Sequence, residues 1–308
     1  MSPPPRLRIA PTPSGLLHLG NGVNFALTAA LADALGAELR LRVDDLDAAR
    51  VRPAYLTDIA ATLRWLLPER ANELLDGAAY QSKRRERYTA VLEDLRQNGE
   101  LFACACTRRE IRAAQSAAAG REGGGDVNAY PGTCLGQALG LDRPDVAWRL
   151  RPRPGSLSAT VLRQRDGTPA YQLASLIDDV EFGITHLVRG ADLRSSTDLQ
   201  RQLARVLAAN GTQAYAAFAQ VRAWHHPLVT DADGRKLSKS AGATSLAALR
   251  ATPDGQARVF AEAGRLIGGA DCSDLTSLTE VLRENLLAGG LALDPVDPAA
   301  PEIRKPSS

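Results

Sequence analysis

Residues 6–36 read RLRIAPTPSGLLHLGNGVNFALTAALADALG: a short apolar run, a turn broken by Pro and Gly, then a long Ala- and Leu-rich stretch. A strand delivered directly into a helix is the first half of a βαβ unit, and the pattern continues downstream. The helix is predicted over Val23–Leu35, with Gly36 as its C-cap. ELRLRVDD (residues 38–45) reads as a second strand with acids at its C-terminal end, residues 54–67 have helical spacing, and RRERYTAVLEDLRQNG is a further helix stopped at Asn98-Gly99. Strands alternating with helices imply an α/β fold built on a parallel sheet. Such sheets bind ligands beyond the C-terminal ends of their strands, where both the PTPSGLLHLGN turn and the Asp44-Asp45 pair fall.

The alternation lapses over residues 101–136, which hold a helix-like piece, a Gly-rich loop and then Tyr130 and Cys134. Residues 145–165 read as strands with turns between them, residues 170–193 return to strand and helix, and residues 195–210 form an amphipathic helix ending at Asn210-Gly211. From residue 241 to about 291 the chain reads as helical, before a Pro-rich tail. This gives a catalytic-type α/β domain in two halves, 1–100 and 166–240, an insertion over 101–165 and a helical C-terminal region over 241–308. With 44% apolar and 23% charged residues the composition is that of a globular chain, and a net charge of +2 neither selects nor excludes a nucleic-acid partner. No apolar run reaches the length of a membrane span, and MSPPPRLRIAPTP lacks the apolar core of a signal peptide, so a cytoplasmic protein with no membrane partner is expected.

Three places carry chemistry. His18, Gly15 and Gly20 stand where a strand turns into a helix, and a helix N-terminus offers unpaired N–H groups that suit phosphate; a plain Pro/Gly turn with a surface His reads equally well from these residues alone. Lysine is scarce, only Lys83, Lys236, Lys239 and Lys305 among 37 basic residues, yet two of the four sit together in KLSKS (236–240). That pair suits a polyphosphate whose charge it follows into a transition state, or a solvated basic loop. Cys104, Cys106 and Cys134 cluster while Cys272 is remote, which is a poor disulfide framework and either a partial metal site or packed thiols.

Taken together and in this order, HLGN and KLSKS resemble the paired nucleotide-binding motifs of class I aminoacyl-tRNA synthetases. RIAPTPSGLLHLGN, LRVDDLDAARVRPAY, QSKRRERY, TPAYQLASLIDDVEFGITHLVRGADL and HHPLVTDADGRKLSKS are similar to consecutive blocks of the glutamyl branch, across residues 6–245. The 68 residues after Ser240 leave no room for the anticodon-binding region of a full glutamyl-tRNA synthetase (308 − 240). Cys104-x-Cys106 with Tyr130-x-x-x-Cys134 resembles the zinc site of a truncated branch, the glutamyl-Q tRNA(Asp) synthetases. The resemblance implies a Rossmann-like parallel sheet with an inserted acceptor-type zinc subdomain and a short helical C-terminal region. It implies ATP with Mg²⁺ as substrate, a structural Zn²⁺, glutamate, and the anticodon stem-loop of tRNA(Asp) as acceptor, handled by a monomer. ATP contacts map onto Pro11, His18, Gly20, Asn21, Ser238 and Lys239, with His18, Lys236 and Lys239 in catalytic roles. Glutamate contacts map onto Arg8, Thr12, Asp44, Tyr171 and Arg189, and metal ligands onto Cys104, Cys106, Tyr130 and Cys134. Asp44 stands where the family has Glu, one methylene shorter; Thr12 stands for Ser and Leu237 for Met. A rival reading of Asp44 and Asp45 makes them caps for the next element. His225 and His226 fall near the family's adenine site but read equally well as a packed or surface pair, and His186 reads as structural.

Overall fold

Why the first helix is so rich in alanine is answered by its surroundings. In the computed structural model, which describes residues 4–119, 130–153, 159–230, 245–269 and 271–288, helix α1 (Leu19–Leu35) has Gly22, Val23 and Phe25 through Ala32 buried. A helix apolar on all sides is a core helix, and small side chains let neighbours approach from every direction. It starts four residues earlier than its Ala/Leu run suggests, because His18 is its N-cap and the glycines of LGNG are already helical. Its end is as expected: Gly36 is left-handed (φ 60°), and the Ala37 N–H donates to the Ala32 carbonyl at 2.8 Å.

The chain divides into two units, the first drawn from residues 1–83, 181–195 and 220–300 and the second from 84–180 and 196–219. In the first unit, β1 (Arg6–Ile9) pairs in parallel with β2 (Glu38–Val43), and β2 in parallel with β3 (Ala79–Tyr80). Leu7, Ile9, Leu39, Leu41 and Val43 are buried; they alternate with Arg8, Arg40 and Arg42, so the apolar side chains of these strands share one face. Helices α2 (Pro53–Leu66) and α3 (Ala71–Asp76) connect β2 to β3, with Pro53 at the first helical position, where no N–H is needed.

Before its return to the first unit, the chain forms α4 (Arg85–Gln97), β4 (Leu101–Cys104), α5 (Arg108–Ala119), β5 (Ala147–Leu150), β6 (Val161–Arg163) and α6 (Tyr171–Glu181). Here β4, β5 and β6 make an antiparallel sheet, so residues 101–104, at the head of the irregular stretch, are a strand. The fully buried Asp178 ties α4 to α6: it accepts from the Tyr88 hydroxyl at 2.9 Å and from Arg84 Nε at 2.7 Å.

β7 (His186–Gly190) then joins β8 (Arg222–His226) in parallel, separated in sequence by α7 (Arg194–Ala209) and α8 (Ala214–Ala219). Thr185, just before β7, donates its N–H to the Arg6 carbonyl at 3.0 Å, and its hydroxyl oxygen accepts from the Arg6 N–H at 2.8 Å, which sets β7 beside β1. The first unit thus holds two parallel sheets, β1-β2-β3 and β7-β8, with β7 next to β1. Three helices, α9 (Leu246–Arg250), α10 (Gly255–Leu266) and α11 (Leu275–Leu287), follow the KLSKS region, and α10 and α11 cover the face of α1 opposite the strands. Gly22 lets that layer close: a Cβ there would lie 2.9 Å from Leu246 Cδ2.

One buried carboxylate holds these parts in register. Asp58 of α2 accepts the Leu17 N–H at 2.8 Å, immediately before the His18 cap, and Arg250 Nη2 of α9 at 2.7 Å. Arg250 Nη1 also donates to Thr62 Oγ1 at 2.5 Å. Removing one partner of a buried pair leaves the other uncompensated. Arg250 keeps some solvent contact, so Asp58→Ala should cost about 2–4 kcal/mol, read as a lower urea midpoint at unchanged slope. Asp58→Asn, which keeps an acceptor for Leu17, should lose less.

Candidate functional site

The N-terminal turn is built by short hydrogen bonds rather than by the helix alone. Ser14 N–H donates to the Thr12 carbonyl at 2.8 Å, and the Asp44 N–H to the Pro11 carbonyl at 2.9 Å, which binds the first turn to the end of β2. His18 is extended (φ −109°, ψ 170°), and its N–H donates to Asn21 Oδ1 at 3.0 Å while the Asn21 N–H donates to the His18 carbonyl at 2.8 Å. Asn21 therefore anchors the histidine. Gly20 makes room for it, since a Cβ there would meet His18 Cε1 at 3.1 Å and Nδ1 at 3.2 Å. Pro11, Thr12, His18, Gly20, Asn21 and Asp44 belong to this one assembly at the C-terminal ends of β1 and β2, with the N-terminal end of α1 behind it.

Lys236, Ser238 and Lys239 lie outside the described residues, but their flanks do not. The chain leaves β8 at His226 and re-enters at Ser245, which forms an antiparallel bridge with His18, while the Leu246 N–H donates to the Leu17 carbonyl at 2.9 Å. Ser245, which follows the second motif in sequence, is thereby joined to the histidine of the first. His226 is part of the same frame. Its Nδ1 lies 2.8 Å from the Pro227 carbonyl and its Nε2 3.1 Å from the Asn24 amide nitrogen. A carbonyl only accepts, so Nδ1 carries the proton and Nε2 accepts from Asn24. Burial pushes its pKa down and keeps the ring neutral. His186, hydrogen-bonded at Nδ1 to Thr185 Oγ1 at 2.8 Å, is a structural residue on β7, again with a pKa lowered by burial.

Three of the residues expected to contact glutamate come from adjacent strands of the first unit: Arg8 on β1, Asp44 just past β2 and Arg189 on β7, all buried. Reasoning from sequence missed Arg42. It is fully buried, and its Nε and Nη2 reach the two Asp44 oxygens at 2.6 and 3.2 Å. This bidentate pair orients Asp44. Asp45 does cap another element, though not the next one. Its carboxylate accepts the Ser82 N–H at 2.7 Å and the Ser82 hydroxyl at 2.6 Å, holding the QSKR turn 37 residues on. Tyr171, the fifth candidate, is the first residue of α6 in the second unit, with its ring partly in solvent.

The cysteine cluster forms within the second unit. Cys104 and Cys106 are two residues apart on an extended segment, which turns both thiols to one face. Tyr130 Oη lies 3.3 Å from Cys104 Sγ and 3.9 Å from Cys106 Sγ, Cys106 and Cys134 Sγ are 3.4 Å apart, and all three sulfurs fall within 4.8 Å of one another. A tetrahedral zinc shell with ordinary Zn–S and Zn–O bonds places its ligand atoms about 3.5–3.8 Å apart, so the set fits. The Cys134 N–H donates to Tyr130 Oη at 2.9 Å, and the Arg149 guanidinium carbon stands 4.1 Å over the Tyr130 ring. Burial, with the neighbouring Cys134, pushes the Cys106 thiol up to about 11, and burial with Cys104 and Cys134 raises Tyr130. Burial also opposes ionisation of Cys134, but hydrogen bonds from Tyr130 and Cys106 outweigh it and hold that thiol below its ordinary value. Crowded protonated donors of this kind are what a bound cation would ionise. Cys272 takes no part: it packs against Gly264 in the first unit, where an added Cβ would meet its sulfur at 2.7 Å.

The family described as "tRNA synthetases class I (E and Q), catalytic domain" matches residues 5–135 and 143–275. The chain is 40% identical over 252 residues to the "Glutamyl-Q tRNA(Asp) synthetase" of Parasynechococcus marenigrum (strain WH8102), covering 80% of this chain and 77% of that one. It is 41% identical over 266 residues to the protein of the same name from Nocardia farcinica (strain IFM 10152), covering 78% and 77%. In fold it resembles the crystal structure of the glutamate-tRNA synthetase from Elizabethkingia anophelis, with a TM-score of 0.67 at 21% identity, over 90% of this chain and 65% of that one. No helix among the described residues is long and apolar enough to cross a membrane. With a strand-turn-helix holding His18 beside the returning chain, and with relatives matching most of its length, this protein belongs to the class I glutamyl- and glutaminyl-type aminoacyl-tRNA synthetase family, on the branch of the glutamyl-Q tRNA(Asp) synthetases, and is a ligase-type enzyme.

Proposed function

We propose that the protein activates glutamate with ATP and transfers the glutamyl group to queuosine in the anticodon of tRNA(Asp), acting as a cytoplasmic monomer. The observation that carries the catalytic part is the His18–Ser245 bridge, which brings the chain leaving KLSKS back to the phosphate-type turn. The acceptor is taken from the relatives' name at about 40% identity. In the first step a glutamate carboxylate oxygen attacks the α-phosphorus, a glutamyl adenylate forms and pyrophosphate leaves. A hydroxyl of the acceptor then attacks the activated carbonyl and AMP leaves. Catalysis is alignment plus stabilisation of spreading phosphate charge. His18, held by Asn21 over Gly20, donates to phosphate together with the N–H groups of the turn after Pro11; Lys239 and Lys236, with Ser238, follow the charge onto pyrophosphate. Mg²⁺ arrives with ATP. Arg8 or Arg189 pairs with the side-chain carboxylate as a bidentate fork, Asp44 takes the ammonium, and Thr12 and Tyr171 complete the site. Cys104, Cys106, Tyr130 and Cys134 hold a structural Zn²⁺, which supplies folding energy to the second unit.

A second reading, activation of glutamate or a related amino acid for an acceptor other than tRNA, is favoured by one observation: Asp44 is shorter than the usual Glu and already grips Arg42. The two part company in ATP–pyrophosphate exchange without tRNA, followed by transfer assays. Glutamate-dependent exchange and transfer only to queuosine-containing tRNA(Asp) is expected; exchange with a different amino acid, or no transfer to either form of the tRNA, supports the second reading.

His18→Ala should lower the exchange rate about 10²–10³-fold with an unchanged melting temperature, and a rate within tenfold of the parent would remove His18 from the phosphate site. Metal analysis should find one zinc per chain. Cys134→Ser should lose it and melt earlier, whereas equal melting of metal-stripped and untreated protein would leave the cluster as packed thiols.

A further inference from the structure

The second unit contains a cavity of about 390 Å³, of whose lining the reading above uses only Tyr130 and Tyr171. Its wall is formed by α5, β5 and β6 and the starts of α6 and α7, and its polar groups are Gln115, Tyr130, Arg149, Thr160, Gln164, Tyr171 and Gln172. That volume falls in the range of small-ligand pockets. Three primary amides, two phenol rings and one guanidinium line it with apolar side chains, and no carboxylate does. A cation has nothing to pair with here, and a single guanidinium is too little for a polyphosphate. Aromatic faces with several amides suit a neutral planar heterocycle that stacks and has donors and acceptors along its edge, which is a nucleobase.

Two polar atoms of the wall need partners. Arg149 is buried; its Nη1 donates to the Ala159 carbonyl at 2.8 Å, but its Nε has no partner among the described residues. Gln172 donates its amide to Ser196 Oγ at 3.0 Å, while its Oε1 has none among them. Both atoms are closed off from solvent within the wall, so it is the remaining polar groups of Gln115, Gln164 and the tyrosines that are left to meet an occupant. Tyr130 connects it to the thiol cluster: the hydroxyl lies among the sulfurs, and the ring, under Arg149, forms part of the wall. Ordering the cluster thus positions Arg149.

We propose that this cavity takes one unstacked base of the RNA acceptor, presented by a loop, with the base against Tyr171 and its edge read by Gln115 and Gln164. The inference rests on the function proposed above and names the subsite for its second substrate. A base inside a duplex cannot enter such a cavity, whereas loop bases splay out readily.

The test uses the full chain, the stem-loop oligonucleotide of tRNA(Asp) with and without queuosine, and two variants, Gln164→Ala and Gln115→Ala. Gln164 is exposed, so its loss should leave the fold intact. Each variant should bind the stem-loop about tenfold more weakly by fluorescence anisotropy, while the ATP KM in exchange stays within twofold. Stem-loop binding equal to the parent in both variants overturns the proposal. A raised ATP KM with unchanged RNA binding overturns it too, by giving the cavity to the adenine of ATP. Failure of glutamate-dependent exchange would count against the proposed reaction alone, because RNA binding is read separately; a parent that binds neither stem-loop would sink both.

Discussion

Asp58 is the interaction on which the candidate site depends. A carboxylate placed almost out of solvent has to be paired, and its two partners lie on different parts of the chain: the backbone N–H of Leu17 and the guanidinium of Arg250. Because those partners are chosen, the residue before the His18 cap and the helix after KLSKS are drawn to one point on α2. Ser245 then bridges His18 and caps α9 through its own hydroxyl, which accepts from the Ala248 N–H. The turn has its shape because three helices are packed around it, with Gly20 and Gly22 supplying the close approach that packing demands.

Electrostatics at the strand ends follow from the same burial. Arg8, Arg42 and Arg189 are almost entirely buried in a unit whose core is apolar, with Asp44 clamped among them by Arg42. Guanidinium keeps its charge in such surroundings where an ammonium would shed it, so a site that selects a carboxylate is better made from arginine than lysine. In the second unit the balance is reversed: thiols and a phenol are crowded until burial and mutual proximity keep Cys106 and Tyr130 protonated, a donor set of the kind that fits a divalent ion.

Much of this was legible in the chain itself. The α/β alternation, the Gly36 cap, the stop at Asn98-Gly99 and the grouping of Cys104, Cys106, Tyr130 and Cys134 are visible because each depends on neighbours within a few turns or on spacing alone. The start of α1 was misplaced by four residues, since the glycines of LGNG argue against helix until tertiary packing overrides their propensity. Strand β4 was hidden inside a stretch read as irregular, because four buried residues carry no period that separates strand from helix. Asp58 looked like any polar residue of an amphipathic helix.

The sequence by itself determined the class of fold, the family and the residue types proposed to meet phosphate, carboxylate and metal, because periodicity and motif chemistry are local properties. Only the tertiary structure decided who holds those residues: Asp58 reaching Arg250 across 192 positions, Arg42 behind Asp44, Asp45 on Ser82, Asn24 on His226, and Arg149 over the ring of Tyr130. The physical reason is that a buried polar group must be satisfied by whatever partner the whole packing brings to it, and that partner is fixed by the core rather than by the residues alongside in the chain.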